Sequence, residues 1–272
     1  MTITRTLSPS PAMIQSAESR PSDLPPTGSA NIDPKEIERF QQLAKAWWDP
    51  TGKFRPLHQI GPARLSFIRE TLSRHFGREG GGLHPFKDLA ILDVGCGGGL
   101  MSEPLTRLGA RVTGIDPGAK NVAIARDHAA SQSLDIDYRV TTAEELVAAG
   151  AHFDAVVCLE VVEHVPDVAA FVKTCADLVR PGGLLVLSTI NRTLKSYALA
   201  IVAAEYVLGW LPRGTHQWDR FVTPDELTRH IAAAGLATPE LRGFVYDPLR
   251  DLWSLSPDMG VNYLAAAAKP QT

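Results

Sequence analysis

Cysteine and positive charge are both scarce in this chain. Its 272 residues include three cysteines, Cys96, Cys158 and Cys175, which lie far apart and form no C-x-x-C pair. An odd number at this spacing gives neither a disulfide framework nor a zinc cluster, so we expect free thiols in a reducing compartment. The 27 Lys and Arg residues against 30 Asp and Glu residues give a formal net charge of −3. The chain therefore lacks the basic excess of a general nucleic-acid binder, and no nucleic-acid partner is expected.

Long apolar runs are also missing. Residues 1–30 are rich in Ser, Thr and Pro and contain no apolar segment of the secretory-signal type, so they are predicted to form a disordered extension. The most apolar stretch, residues 196–211, contains one charged residue, Glu205, but is too short and too interrupted for a membrane span. The whole chain is 44% hydrophobic and 21% charged, as is ordinary for a soluble globular protein. We expect one domain over residues 31–272.

Two helices are predicted before the first strand. The first begins near Asn31 or Asp33, has Pro34 just inside it, and is followed by a turn at 48–52. Its apolar residues recur at helical spacing, namely Ile37, Phe40, Leu43, Ala44 and Trp47. The second helix is predicted from Pro62 to about Phe76, with a glycine loop at 80–82 after it.

Five short apolar runs then follow, and segments long enough for helices separate most of them. The runs are residues 90–94, 111–116, 136–140, 153–159 and 184–189. Continuous apolar strands that alternate with helices indicate a parallel sheet covered on both faces. The sequence therefore predicts an α/β protein with a doubly wound, Rossmann-like core over residues 89–189.

A glycine-rich loop follows the first predicted strand and precedes a helix. Gly95, Gly97 and Gly99 form a G-x-G-x-G pattern, at the edge where open α/β sheets bind ligands. The dinucleotide fingerprint G-x-G-x-x-G requires a glycine at its sixth position, which is Leu100 here. A diphosphate is therefore not the preferred ligand. A compact loop against an amino-acid-like group fits better. Asp116 ends the next strand, where a carboxylate can accept hydrogen bonds from a ribose diol.

With these motifs, residues 89–189 resemble the class I S-adenosylmethionine methyltransferases. Beyond the glycine loop, the resemblance rests on Phe153-Asp154-Ala155-Val156 and Leu178-Val179-Arg180-Pro181-Gly182-Gly183. It implies S-adenosylmethionine as the cofactor, with Gly95 at its methionine part and Asp116 at its ribose. It also implies that Leu159 lines the adenine-side wall and that residues 142–144 lie near the base.

The flanking segments resemble a narrower family, the ubiquinone-biosynthesis O-methyltransferases. The segments that carry this resemblance are residues 47–58, 62–65, 189–196, 204–206, 212–216 and 261–263. The family methylates phenolic hydroxyls of polyprenylated precursors, 2-polyprenyl-6-hydroxyphenol and 3-demethylubiquinol. Carried onto this chain, the resemblance implies that Arg64 reaches the cofactor carboxylate, a group that a guanidinium binds well. Ile190 and Arg213 are mild departures from the family pattern.

Two carboxylates and an imidazole follow the fourth predicted strand, at Glu160, Glu163 and His164. If a helical turn begins there, Glu160 shares a face with the other two. His164 could take the proton of a phenol while Glu163 orients it. The three side chains could instead hold a divalent ion such as Mg²⁺, which would lower the pKa of a catechol oxygen. A third interpretation is that Glu163 and His164 are architectural.

An apolar insertion is predicted over about residues 192–222. Its stretch 196–211 contains aromatic residues and has Arg192, Lys195 and Arg213 around it. This composition suits either a helix on an anionic membrane surface or a buried lid. Because a polyprenyl tail resides in the bilayer, the resemblance favours the membrane. It also implies a cytoplasmic protein associated with the inner face of the membrane, and other ubiquinone-biosynthesis enzymes as partners.

Two alternative functions remain at this point. One is an S-adenosylmethionine methyltransferase for another small molecule, with the insertion as a plain lid. The other is a non-catalytic cofactor-binding protein. The intact glycine loop, together with Asp116, Glu163 and His164, argues against the second alternative.

Overall fold

The computed structural model describes residues 31–78, 82–198, 218–247 and 249–271. The predicted extension 1–30 and nearly all of the apolar stretch 196–211 lie outside the described residues. Within the described part, no helix is long and apolar enough to cross a membrane. The three cysteines are buried free thiols, as the sequence predicts.

Helices and strands alternate along most of the described chain. The helices are α1 (Pro34–Gln42), α2 (Arg55–His75), α3 (Ser102–Arg107), α4 (Ala119–Ser131), α5 (Ala143–Ala148), α6 (Val168–Leu178), α7 (Leu194–Ser196) and α8 (Pro224–Ala233). The strands are β1 (Ala90–Val94), β2 (Arg111–Asp116), β3 (Asp137–Val140), β4 (Phe153–Leu159), β5 (Val179–Ile190), β6 (Glu240–Asp247), β7 (Leu252–Ser256) and β8 (Asn262–Ala268). Single 3₁₀ turns occupy Ala44–Ala46, Val162–His164 and Trp218–Arg220.

The strands of the described residues form one eight-stranded sheet in the order β3-β2-β1-β4-β5-β8-β6-β7. The pairs among β1 to β5 are parallel, whereas β8 pairs antiparallel with β5 on one side and with β6 on the other. The strand order reverses between β1 and β4, because β2 and β3 lie on one side of β1, and β4 and β5 lie on the other. The segments that follow β1 and β4 therefore begin next to each other at the carboxyl edge of the sheet. Such a switch point is where open α/β sheets bind ligands.

Helices cover both faces of the sheet. Alternate residues of a strand point to opposite faces, and the core divides accordingly. Leu92 and Val156 belong to one buried layer, together with Phe171 of α6. Ile91 belongs to the other layer, together with Phe67 of α2. This arrangement confirms the predicted doubly wound α/β class.

Local signals in the sequence set several helix starts. Asp33 caps α1 and accepts a hydrogen bond from the Lys35 amide, with Pro34 in the first turn. Thr142 and Glu145 form a reciprocal capping box at the start of α5. A capping side chain satisfies amide groups that have no partner inside the helix, which fixes where the helix begins.

The predicted boundaries of the second helix are wrong at its start. The helix α2 begins at Arg55 and contains Pro62 in its interior. A proline inside a helix removes one backbone hydrogen bond. The helix α2 tolerates Pro62 because this residue is exposed and displaces no core side chain. The fifth strand is longer than the predicted run 184–189, because β5 extends from Val179 to Ile190. The sequence analysis did not predict β6, β7 and β8.

Candidate active site

A cavity of about 970 Å³ lies at the carboxyl ends of the parallel strands. The glycine loop after β1, the end of β2 and the segment after β4 all line it. Residues from α1, α2 and the β6–β7 hairpin complete its walls. Every residue that the sequence analysis named as a site residue lines this cavity, that is, Arg64, Gly95, Asp116, Leu159, Glu160, Glu163 and His164.

The glycine loop turns sharply between β1 and α3. Gly95, Gly97 and Gly99 have positive φ angles of 72°, 53° and 90°, a region that favours glycine. A Cβ atom on Gly95 would lie 2.5 Å from Cγ2 of Val161. Glycine is therefore required here for both its backbone conformation and its lack of a side chain.

Two consecutive tryptophans cover the outer side of this loop. A Cβ atom on Gly97 would overlap the ring of Trp47. The Trp47 indole donates to Oδ1 of Asn121 (3.1 Å), and the Trp48 indole donates to the carbonyl oxygen of Gly98 (2.9 Å). The sequence resemblance included these tryptophans, but only the structure gives them this role.

The carboxylate of Asp116 is buried at the end of β2 and accepts three hydrogen bonds. Its Oδ2 accepts from the amide of Gly97 (3.1 Å), and its Oδ1 accepts from the amide of Gly118 (2.7 Å) and from Nδ2 of Asn121 (3.1 Å). Burial raises the pKa of Asp116, and the three donors oppose that rise. This residue thus connects the glycine loop to the start of α4.

Asp93, in the strand just before the glycine loop, is a cavity residue that the sequence analysis did not single out. Its Oδ2 accepts a hydrogen bond of 2.6 Å from the Ser102 hydroxyl. Burial raises the pKa of Asp93 to about 6, and the charge of Asp116 adds to the rise. The available signal was a charged residue inside an otherwise apolar strand, two positions before Gly95.

Glu160 follows β4 and has a left-handed backbone with φ of 55°. Its Oε1 accepts from the Ser188 hydroxyl (2.8 Å) and pairs with Nη2 of Arg64 (2.6 Å). The guanidinium of Arg64 is buried, and its Nε has no hydrogen-bond partner among the described residues. An unpartnered buried donor of this kind is costly unless a ligand satisfies it.

Glu163 is 3% exposed and lies in the 3₁₀ turn after β4. Its Oε2 accepts from the Thr189 hydroxyl (2.8 Å), whereas its Oε1 has no hydrogen-bond partner in the part of the chain that the structure describes. Burial raises the pKa of Glu163 well above its ordinary value, and the nearby charge of Glu160 raises it further. The site therefore favours a protonated carboxyl or a cation at this position.

His164 points away from the two carboxylates that precede it. Its Nδ1 lies 2.9 Å from Oε2 of Glu36 in α1, and its ring makes an edge contact with Phe40. The expected grouping on one helical face does not occur, because Glu160 has a left-handed backbone and the turn begins only at Val162. Among the described residues, no group of three or more His, Cys, Asp or Glu side chains is arranged to hold a metal ion.

The wall expected near the adenine base contains the residues that the sequence analysis named for it. Leu159, at the end of β4, is partly buried and packs against the core layer beneath α2. Thr142, Ala143 and Glu144 line the cavity at the start of α5. The cavity thus has polar groups at the glycine loop and an apolar wall beside them.

The chain is similar in sequence to known methyltransferases. A family model described as "Methyltransferase domain" matches residues 92–187. A "Ubiquinone biosynthesis O-methyltransferase" from Parvibaculum lavamentivorans is 56% identical over 240 residues, which cover 88% of this chain and 95% of the relative. A protein of the same name from Azorhizobium caulinodans is 54% identical over 237 residues, which cover 87% and 94%.

Solved structures support the fold. Magnesium protoporphyrin IX methyltransferase from Synechocystis PCC 6803 with bound SAH aligns with a TM-score of 0.60 at 19% identity, and the alignment covers 85% of this chain and 94% of that one. A SAM-dependent methyltransferase from Thermotoga maritima aligns with a TM-score of 0.58 at 16% identity, covering 86% and 98%. At these identities the likeness concerns the fold alone.

Proposed function

The chain belongs to the ubiquinone biosynthesis O-methyltransferases, and on that premise we propose that it methylates a phenolic oxygen of polyprenylated ubiquinone precursors. The methyl donor is S-adenosylmethionine, and the proposed acceptors are 2-polyprenyl-6-hydroxyphenol and 3-demethylubiquinol. The observation that carries the proposal is the presence of the glycine loop and the Glu160–His164 segment in one cavity. Donor and acceptor can therefore meet there.

The cofactor roles of four residues are part of this proposal. Gly95 contacts the methionine part and Asp116 the ribose, Leu159 lines the adenine-side wall, and Arg64 binds the carboxylate. The site fits such a ligand at Gly95, which lines the cavity and has no side chain to keep a ligand from its backbone. The partnerless Nε of Arg64 also fits, since a carboxylate would satisfy it.

His164 and Glu163 are proposed to handle the proton of the phenol. When bound, S-adenosylmethionine would supply a methyl group on its sulfonium sulfur: the phenolic oxygen would bond to the methyl carbon, and the sulfur would keep the electron pair of the broken bond. A neutral imidazole that donates from Nδ1 to Glu36 carries its acceptor lone pair on Nε2. His164 takes the phenolic proton at that atom in this scheme. The raised pKa of Glu163 favours its protonated form, which can donate a hydrogen bond. A protonated carboxyl also places no negative charge near the methyl acceptor.

A metal-assisted route is the second candidate, and one observation favours it. The partnerless Oε1 of Glu163 lies in a site where the charge of Glu160 acts on it, and a cation would relieve both effects. Glu160, Glu163 and His164 would then hold Mg²⁺, which would lower the pKa of a catechol oxygen. Against this route, the described residues contain no group of three such side chains arranged to hold a metal ion. Glu160 is also paired with Arg64, and His164 is paired with Glu36.

Association with the membrane is the remaining part of the proposal. The stretch 196–211 docks on an anionic bilayer at the inner face of the membrane, so that the enzyme receives a substrate whose tail resides in lipid. Other enzymes of ubiquinone biosynthesis are proposed partners, since they make and use the same lipid-bound intermediates. The support is the composition of the stretch, which has Glu205 as its single charged residue.

Turnover with a defined substrate tests the function. Purified protein, S-adenosylmethionine labelled in its methyl group and a short-tailed 3-demethylubiquinol should give labelled ubiquinol, both with and without a chelator if no metal is needed. Label transfer to other small phenols, but not to the quinol, would favour a different methyltransferase. Cofactor binding without transfer to any acceptor would favour a non-catalytic protein.

A further inference from the structure

Gly61 occupies a place in α2 where neither the backbone nor the packing requires glycine. It lies inside the helix and lines the cavity. A Cβ atom there would meet no described residue within 4 Å, and Gly61 has no positive φ angle. Glycine inside a helix destabilises it relative to alanine. The described residues thus leave space beside Gly61 in the cavity wall, where a ligand would fit.

The walls around this space are apolar. Leu57, Gly61 and Leu65 are spaced by one helical turn, so they form one face of α2, and all three line the cavity. The β6–β7 hairpin supplies further cavity-lining side chains, including Tyr246 and Trp253, whose ring centroids are 5.2 Å apart. We call the part of the cavity between this helix face and the hairpin the α2–hairpin arm.

The inner end of the α2–hairpin arm is the reaction centre. Arg64, one turn beyond Gly61 along α2, pairs with Glu160. Glu160 in turn accepts a hydrogen bond from Ser188 at the carboxyl end of β5. A ligand that fills the arm therefore has one end beside the Arg64–Glu160 pair, in the cavity that Glu163 and His164 also line.

The outer end of the arm is the turn of the hairpin, which α2 holds in place. Asp251 accepts hydrogen bonds from Gln59 (2.9 Å) and from the Tyr246 hydroxyl (2.5 Å). Leu249 in this turn is 96% exposed, and Leu252, the first residue of β7, is 52% exposed. Two apolar side chains are therefore exposed at the outer end of the hairpin, beyond the cavity-lining Tyr246 and Trp253.

We propose that the α2–hairpin arm binds the polyprenyl tail of the acceptor and that Gly61 leaves room for it. The inference rests on the proposed function, which supplies a ligand with a reactive ring at one end and a long apolar chain. Leu57, Leu65 and Trp253 offer the tail an apolar surface, and the exposed leucines at the outer end of the hairpin mark its exit. The size of the residue at position 61 then decides whether the tail fits, although Gly61 does not contact the reacting atoms.

A bulky side chain at position 61 tests the proposal. Gly61→Phe is compared with Gly61→Ala, which adds one methyl group at the same position. The acceptors are 3-demethylubiquinol with a long polyprenyl tail and the same ring without a tail. Because the phenylalanine would displace part of the tail, Gly61→Phe should raise KM for the tailed acceptor by about tenfold or more. KM for the tailless ring and the Kd of S-adenosylmethionine should stay within about twofold of the wild type, as should all values for Gly61→Ala.

Two outcomes would overturn the proposal while leaving the proposed function intact. One is an unchanged KM of Gly61→Phe for the tailed acceptor, and the other is an equal rise for both acceptors. Wild-type protein that methylates neither acceptor would instead contradict the proposed function. If Gly61→Phe does not fold, as judged by circular dichroism and cofactor binding, Gly61→Leu is used with the same criteria. Leucine is a good helix former, and no described residue lies within 4 Å of a Cβ at this position.

Discussion

Nη2 of Arg64, in the middle of α2, lies 2.6 Å from Oε1 of Glu160, the residue that directly follows β4. The pair connects a helix that precedes the sheet to the strand end at the reaction centre. It uses one nitrogen of the guanidinium and leaves Nε buried without a partner. A single arginine can therefore hold Glu160 and still offer a donor to a ligand.

Replacement of Arg64 by lysine separates these two functions. Lysine keeps the charge beside Glu160 but lacks the planar group with several donors. We expect Arg64→Lys to weaken S-adenosylmethionine binding by about 1.5–3 kcal/mol, the usual range for a hydrogen bond to a charged group. Calorimetry measures the change, with Arg69→Lys on the exposed side of the same helix as the control. Equal affinities for both variants would exclude Arg64 as a ligand of the cofactor.

Asp116→Ala should also weaken cofactor binding by about 1.5–3 kcal/mol. The carboxylate is proposed to accept hydrogen bonds from the ribose, and it also holds the amides of Gly97 and Gly118. Titration of the folded variant with cofactor measures the loss. Asp127→Ala, an exposed position in α4, is the control. An Asp116→Ala protein that folds and binds with wild-type affinity would refute the ribose assignment.

The raised pKa of Glu163 predicts how stability depends on pH. Folding favours the protonated carboxyl, so its contribution is complete below the ordinary pKa of 4.5 and is lost as the pH rises through the higher pKa of the folded state. Glu163→Gln cannot ionise. Urea unfolding in chelator should therefore show that the wild type loses stability from pH 5 to pH 8 relative to Glu163→Gln. A constant difference between the two proteins over this interval would contradict the shifted pKa.

Chelation and His164→Ala together distinguish the two routes of proton removal. If an ion activates the phenol, a chelator should abolish turnover and leave cofactor binding intact. If His164 is the base, the chelator should have no effect, and His164→Ala should lower kcat by a factor on the order of 10²–10⁴. Stopped-time assays with labelled cofactor measure both quantities. A normal rate for His164→Ala without any chelator effect would remove both roles.

Vesicle co-sedimentation tests the proposed membrane contact. Transfer of Leu208 and Trp210 into lipid would contribute about 1.5–3 kcal/mol each, so their joint replacement by Glu should abolish binding to anionic vesicles. Leu83→Glu, at an exposed leucine elsewhere, is the control. The salt dependence should be weak, because Arg192 and Lys195 are already paired with Glu226 and Asp258. Equal sedimentation of the double variant and the wild type would show that substrate arrives by another route.

The sequence predicts the parts of this fold that local patterns determine. The apolar runs of β1, β2 and β4, the cap at Asp33 and the glycine loop all lie where the sequence analysis expects them. The strand β8 was not predicted, because its run of alanines carries no strand signal. It becomes a strand because β5 and β6 pair with it on both sides.

Contacts between distant segments explain what the sequence analysis missed in the site. Glu36 meets His164 across 128 positions of the chain, and nothing in either segment indicates the other. Glu160, which has a left-handed backbone, likewise contacts Ser188 and Arg64, two residues far from it in the sequence. The prediction that Glu160 and His164 share one helical face rested on their spacing alone, and it is wrong.

The position of β8 has a consequence for the order in which the chain can fold during synthesis. The hairpin of β6 and β7 leaves the ribosome before β8, yet the edges of β5 and β6 that later pair with β8 have no strand partner until it arrives. Unpaired strand edges are templates for aggregation, and pairings between distant segments form slowly. Nascent chains that stop short of residue 262 should therefore depend on chaperones far more than chains extended past residue 268.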